Sequence, residues 1–177
     1  TDVGENDWFH SVVDYAVANG LMNGVSATSF DPYGTATRAM LVTILHRSAG
    51  KPEPTKAVPF TDVRAGAWYA NAVAWAYGAK VVNGTSATEF TPDADITREQ
   101  VAAILYRYAA QKGEDTSARA ELDKQFDDAA SISSYAADAM SWAVASGILN
   151  GDGKSLNPQD SATRAELAAM LVRYLSK

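Results

Sequence analysis

Apolar positions along this chain fall into paired helical stripes, and each pair is separated by a loop that breaks the pattern. In the middle of the chain Trp68, Ala72, Trp75 and Ala76 recur at helical spacing, and Ala79 continues the stripe. Asn83-Gly84 interrupts it, and a glycine there is expected to take the left-handed conformation of a helix end. The loop through Pro92 holds one aromatic, Phe90, which, like Phe30, is expected to plug back into the core. A second stripe follows at Val101, Ile104, Leu105 and Tyr108, with counterparts at Leu41, Ile44, Leu45 and at Leu167, Met170, Leu171, Tyr174.

Each second stripe opens on Thr-Arg. In Thr163-Arg164-Ala165-Glu166 the hydroxyl can accept from a first-turn amide while the glutamate reaches back to the cap amide. Thr97 with Gln100 can do the same, whereas Thr37 with Met40 is expected to keep only the threonine half. These helices cannot bury their stripes alone. The predicted fold is all-α: three helix–loop–helix repeats in a pseudo-threefold arrangement around a central three-helix bundle.

The repetition is exact enough to align by eye. A shift of 60 residues places Asp2 on Asp62, Trp8 on Trp68, Asn23-Gly24 on Asn83-Gly84 and Thr37-Arg38 on Thr97-Arg98 without a gap. The third copy follows at a shift of 66, with one residue gained before Tyr135 and one lost after Asn150-Gly151. The predicted units are repeat 1 at 1–50, a linker at 51–59, repeat 2 at 60–112, a linker at 113–125 and repeat 3 at 126–177. Pro52 and Pro54 make the first linker extended; in the second, 118–124 is expected to form a short exposed helix.

Composition narrows the function. Hydrophobic residues make up 47%, as in a globular protein, and no run of about 18 apolar residues marks a membrane span. The net charge of -6 argues against nucleic acid as a partner. No cysteine is present, and the only histidines, His10 and His46, both lie in repeat 1, so neither a metal site nor a repeated histidine catalyst is expected. No carboxylate pair stands apart from the repeat, so no catalytic residue is assigned; Asp152-Gly153 reads as an ordinary turn.

Arg38, Arg98 and Arg164 stand out. Each occupies the first helical position, where exposed amides and the positive dipole end favour anions over cations. One reading is a receptor for a carboxylate or phosphate, built from a guanidinium fork beside free amides; the other is a structural ion pair with Asp2, Asp62 or Asp128. Trp8, Trp68 and Tyr135 divide similarly between core packing, the default at helical spacing, and stacking on a sugar ring. Capping is the default for the aspartates. Arg47, Arg107 and Arg173, near the helix ends, are explained by the carbonyl end of the dipole.

Phe60-Thr61-Asp62-Val63, Trp68-Tyr69, Asn83-Gly84, Phe90-Thr91-Pro92 and Ile96-Thr97-Arg98-Glu99 together resemble the surface-layer homology (SLH) module, and the other two copies repeat the match. The resemblance implies a pseudo-trimeric domain that anchors a bacterial surface protein, secreted to the cell surface, to its cell wall. It implies a secondary cell-wall polysaccharide as partner, commonly one carrying pyruvylated N-acetylmannosamine. A cargo domain or S-layer lattice region of the parent protein is the other implied partner, and no cofactor is called for. By the same resemblance the ligand contacts are Arg38, Arg98 and Arg164; Asp2, Asp62 and Asp128; Trp8, Trp68 and Tyr135; Gly24, Gly84 and Gly151. Because Met40 weakens the first cap and Tyr135 alters the third repeat, the grooves are expected to be unequal, with those at Arg98 and Arg164 ranked above Arg38. The alternative is a protein–protein assembly module of the cell envelope with structural arginine ion pairs.

Overall fold

The computed structural model describes residues 2–176. Each repeat contributes a short first helix and a longer second one: α1 (His10–Ala18) with α2 (Arg38–Ser48), α3 (Ala70–Gly78) with α4 (Arg98–Gln111), and α6 (Ala137–Ala145) with α7 (Arg164–Leu175). The second linker holds a single turn, α5 (Leu122–Gln125), followed by a 3-10 turn at Ala129–Ser131. Among the described residues the fold is all-α, with three isolated β-bridges and no named strand.

The second helices start where their threonines place them. Thr37, Thr97 and Thr163 each accept the amide of the residue three further on, at 3.2–3.3 Å. The return bond grades with chemistry: Glu166 Oε2 accepts the Thr163 amide at 2.8 Å, Gln100 Oε1 accepts from Thr97 at 3.4 Å, and Met40 Sδ lies 3.5 Å from the Thr37 amide. The thioether therefore supplies a weak return contact after all, since sulfur is a poor but real acceptor.

First helices end earlier than the Asn-Gly pairs suggest. Gly20, Lys80 and Gly147 take the left-handed conformation after α1, α3 and α6. Gly24, Gly84 and Gly151 are not left-handed; they sit one turn further on, where the chain packs tightly on itself. A Cβ on Gly84 would lie 2.3 Å from the carbonyl oxygen of Ser86, and one on Gly151 would lie 2.4 Å from that of Ser155.

The repeats interlock rather than stand side by side. The most extensive helix packing is α2 on α3, α4 on α6 and α7 on α1, so each second helix covers the next repeat's first helix and the last covers the first. The extended residues before the second helices meet in the same cyclic order, through bridges Thr37–Asp95, Thr97–Ser161 and Thr35–Thr163. All three second-helix stripes enter one core, where Leu45, Leu105 and Leu171 at equivalent register are buried. Burying each such leucine contributes roughly 1.5–3 kcal/mol. Tyr174 meets Tyr108 at 6.0 Å and Trp142 at 6.3 Å, tying α7 to α4 and α6. Phe30 and Phe90 are core residues, as the loop pattern predicts.

Candidate functional site

The first-turn amides of the second helices are occupied by neighbouring backbone. Arg38 N donates to Ala94 O and Ala39 N to Pro92 O; Arg98 and Glu99 use Asp160 O and Pro158 O, and Arg164 and Ala165 use Gly34 O and Pro32 O. These amides are not free to share an anion with the arginine, contrary to what their place at a helix start suggests. Tertiary contact between repeats has filled the helix ends instead.

The arginine side chains leave their own helices and cross to the following repeat. Arg38 Nε donates to Phe90 O at 2.9 Å, Arg98 Nε to Leu156 O at 2.7 Å and Arg164 Nε to Phe30 O at 2.8 Å. A terminal nitrogen of each donates to the carbonyl before the Asn-Gly glycine: Asn83 O at 3.4 Å, Asn150 O at 3.0 Å and Asn23 O at 2.8 Å. The other terminal nitrogen faces the third residue of the next second helix. That partner is Gln100 Oε1 at 3.4 Å for Arg38, Glu166 Oε1 at 2.5 Å for Arg98, and Met40 Sδ at 3.8 Å for Arg164. The three arginine residues are only 6–8% exposed. Burial is the main influence lowering the pKa values of Arg38 and Arg164 from the usual arginine value.

Asp2, Asp62 and Asp128 do not pair directly with these arginines, nor do they cap the first helix. Each carboxylate reaches 28 residues ahead to its own loop and accepts two successive amides: Phe30 and Asp31, Phe90 and Thr91, Leu156 and Asn157. The second residue of each pair has positive φ (57°, 52° and 50°), a conformation that costs a side-chain-bearing residue roughly 1–2 kcal/mol. The aspartate holds that kink. Amide bonds hold the Asp2 carboxyl well below the usual range, first from Phe30, then from the Ser29 hydroxyl and Asp31. For Asp128, burial pushes upward, and the Leu156 and Asn157 amides with nearby Arg98 outweigh it. Aspartate and arginine thus act on one peptide from opposite sides: Asp62 accepts from the Thr91 amide and Arg38 donates to the Phe90 carbonyl of the same peptide.

A groove lies beside each arginine, and residues from all three repeats line it. The Arg38 groove, about 410 Å³, joins Arg38, Gly84, Gln100, Arg107 and Tyr135. The Arg98 groove, about 390 Å³, joins Arg98, Gly151, Glu166, Arg173 and Trp8, with Asp152 at its wall. The Arg164 groove is smaller, about 130 Å³, and joins Arg164, Asn23, Met40, Arg47 and Trp68. Of the expected contacts, the structure brings together arginine and aromatic in all three grooves and the glycine in two. The aspartates and Gly24 line none of the three.

Trp8, Trp68 and Tyr135 are not core residues: they are 58%, 60% and 52% exposed, despite their helical spacing from buried neighbours. Each precedes the first turn of its helix, a position the stripe does not bury. Tyr135 alone is anchored at its polar end, donating to Glu99 Oε1 at 2.9 Å; Glu99 Oε2 also accepts the Ser133 amide. Burial and the Glu99 carboxylate push the Tyr135 phenol up to about 12.

Arg47, Arg107 and Arg173 do more than face a helix dipole: one lines each groove. The missed signal is helical: 40, 43, 44 and 47 form an i, i+3, i+4, i+7 stripe, repeated at 100–107 and 166–173, with a polar or sulfur-bearing start and an arginine finish. Each second helix therefore stands between two grooves, giving its first arginine to one and its second to the other.

Three cyclically interlocked helical repeats with an arginine–aromatic groove at each boundary define a tandem-repeat helical module. The chain belongs to the S-layer homology domain family, which it matches at residues 1–39, 59–102 and 125–168. It is similar to the surface-layer 125 kDa protein of Lysinibacillus sphaericus (35% identical, covering 93% of this chain and 13% of that protein). It is also similar to an amylopullulanase of Thermoanaerobacterium thermosulfurigenes (32%, covering 99% of this chain and 9% of the enzyme) and an endoglucanase of Bacillus sp. strain KSM-635 (30%, 100% and 19%). The chain thus spans less than a fifth of the length of each of these relatives.

Proposed function

We propose that this module anchors a larger bacterial surface protein non-covalently to its cell wall by binding a secondary cell-wall polysaccharide, one carrying pyruvylated N-acetylmannosamine, in the grooves between repeats. A surface-layer protein and two glycan-cleaving enzymes share the segment as a small fraction of their length. A part common to proteins of such different activity fits attachment better than catalysis.

The observation that carries the ligand class is the Arg38 groove. Two guanidiniums, Arg38 and Arg107, line it with no carboxylate among the lining residues, and the exposed ring of Tyr135 stands opposite. A carboxylate-bearing sugar offers a charge for the first two and a C–H face for the third. The attraction is local, which reconciles an acidic module with an acidic polymer. In this reading Gly84 and Gly151 keep the wall open for close approach. Asp2, Asp62 and Asp128 contribute indirectly, by holding the loop peptide that aims the arginine.

The assembly-module alternative draws on one fact: each arginine already bridges two repeats through backbone carbonyls. That structural work and ligand binding are compatible, because each terminal guanidinium nitrogen carries two N–H groups. Thermal unfolding with pyruvylated N-acetylmannosamine glycoside tests the proposal. The melting temperature is expected to rise with ligand saturation, and no rise at any concentration would favour the assembly reading.

A further inference from the structure

On the Asp62 side of the Phe90–Thr91 peptide, opposite Arg38, lies a further cavity of about 490 Å³. It shares no lining residue with the three grooves. The other repeats put a side chain at this place. In repeat 1 Tyr33 takes the position of Asp93, and its ring meets Phe9, the counterpart of Tyr69, edge-on at 5.5 Å. In repeat 3 Gln159 takes it and donates to Ser131 O at 3.2 Å and to Ser133 Oγ at 3.1 Å. Asp93 is shorter and exposed, and it makes no hydrogen bond or ion pair among the described residues. We propose that this cavity of repeat 2 is a second sugar subsite, which takes an uncharged sugar residue through the Tyr69 hydroxyl, the Asp93 carboxylate and the Arg64 guanidinium.

Tyr69 brings to the cavity a hydroxyl that Phe9 and Ala136, at the same position in the other repeats, lack. The residue is only 6% exposed, yet no described group hydrogen-bonds that hydroxyl. A hydroxyl set so deep has only the cavity from which to take a partner. Asp62 is already committed to the Phe90 and Thr91 amides, so Tyr69, Asp93 and Arg64 are the groups left to meet a ligand. Their charges select its class. Two carboxylates against one guanidinium repel an anion, so the cavity does not suit the pyruvylated sugar of the grooves. A cation would have to face Arg64. A neutral sugar satisfies all three groups: its hydroxyls donate to Asp93, and its oxygens accept from Arg64 and Tyr69. Its C–H face finds the buried Pro92 in the wall. None of this depends on what the grooves bind.

The test follows the Tyr69 ring and Arg64 Nε–H resonances of the whole chain by NMR. The probes are the methyl glycosides of glucose, galactose, N-acetylglucosamine and N-acetylmannosamine, with sodium pyruvate as the anionic control. At least one neutral glycoside is expected to shift both resonances with one shared dissociation constant below about 100 mM, while pyruvate leaves Tyr69 in place. Tyr69→Phe should weaken that glycoside at least about threefold, the loss of one hydrogen bond. Asp93→Tyr should abolish its binding by filling the cavity as Tyr33 does in repeat 1. Both variants copy residues that repeat 1 already carries, so the melting temperature should stay within a few degrees; if Asp93→Tyr lowers it further, Tyr69→Phe decides. No response of Tyr69 to any neutral glycoside overturns the proposal, as does an equal response to pyruvate or undiminished binding in either folded variant. If a neutral glycoside titrates Tyr69 while pyruvylated polymer fails to bind the grooves, the subsite stands and the groove reading falls.

Discussion

The phenol of Tyr135 donates to the buried carboxylate of Glu99 at 2.9 Å, and this pair occurs at one repeat boundary only. Opposite Trp68 and Trp8 the equivalent helix positions hold Ala39 and Ala165. The aromatic and the second residue of the facing helix have therefore changed together: a ring with a hydroxyl meets an acceptor, and a larger ring without one meets a methyl. Tyr135→Phe strips Glu99 of its phenol partner, and the expected cost is about 1–2 kcal/mol. The double variant Glu99→Ala with Tyr135→Trp copies the other two boundaries and should recover most of that loss in chemical denaturation.

The same pair sets an alkaline limit. A folded pKa of about 12, raised above the ordinary 10, means that the contribution is complete below pH 10 and is lost as pH rises toward 12. The Tyr135 ring carbon resonance should titrate near the upper value, and Glu99→Gln should bring it down.

Arg98→Ala is expected to destabilise more than Arg38→Ala. Removing Arg98 takes a donor from Leu156 O, Asn150 O and Glu166 Oε1, leaving that carboxylate only the Thr163 amide, whereas the third partner lost with Arg38 is a neutral amide at 3.4 Å. Stranding a charge in a buried pair costs about 3–5 kcal/mol, and the 29% exposure of the Glu166 side chain places this case at the low end. Urea denaturation of the two single variants checks the order; equal midpoints would count against it.

Asp128→Ala should loosen the third loop. It removes the acceptor for the Leu156 and Asn157 amides, an effect on the order of 1–2 kcal/mol because solvent screens the carboxylate. Asp2 and Asp128 both have lowered pKa values, so their contribution is present above the ordinary carboxylate value of 3.8 and is lost as pH falls below it. Acid unfolding of the wild type should steepen below about pH 4, and less so in a variant lacking both aspartates.

Much of this fold can be read in the sequence because the physics is local: threonine caps and apolar stripes specify helix starts and faces wherever the chain goes. The destinations of side chains cannot be read this way. Arg38 reaches 52 residues ahead and Arg164 reaches back 134, to carbonyls that no local pattern marks. Asp62 resembles a helix cap in spacing, but its amides lie in a loop 28 residues ahead that folds back with Phe90 buried. The exposed Trp68 fails the core expectation because helical spacing continues one residue beyond the face that neighbours cover.

Thr43 is a small instability left by the repeat. Its hydroxyl is buried without a hydrogen-bond partner, where the other repeats have Ala103 and Ala169. Thr43→Val keeps the shape and removes the orphan, so it should stabilise the protein by about 1 kcal/mol, a rise of roughly 2–4 °C in melting temperature.

The central claim is that the grooves bind a wall polymer through its carboxylate. Equilibrium binding of purified secondary wall polymer, compared before and after removal of its pyruvate, addresses this most directly. Saturable binding that weakens at least about tenfold on depyruvylation is the predicted result, corresponding to the loss of one charge-assisted contact. Equal affinity for the two polymers would contradict it.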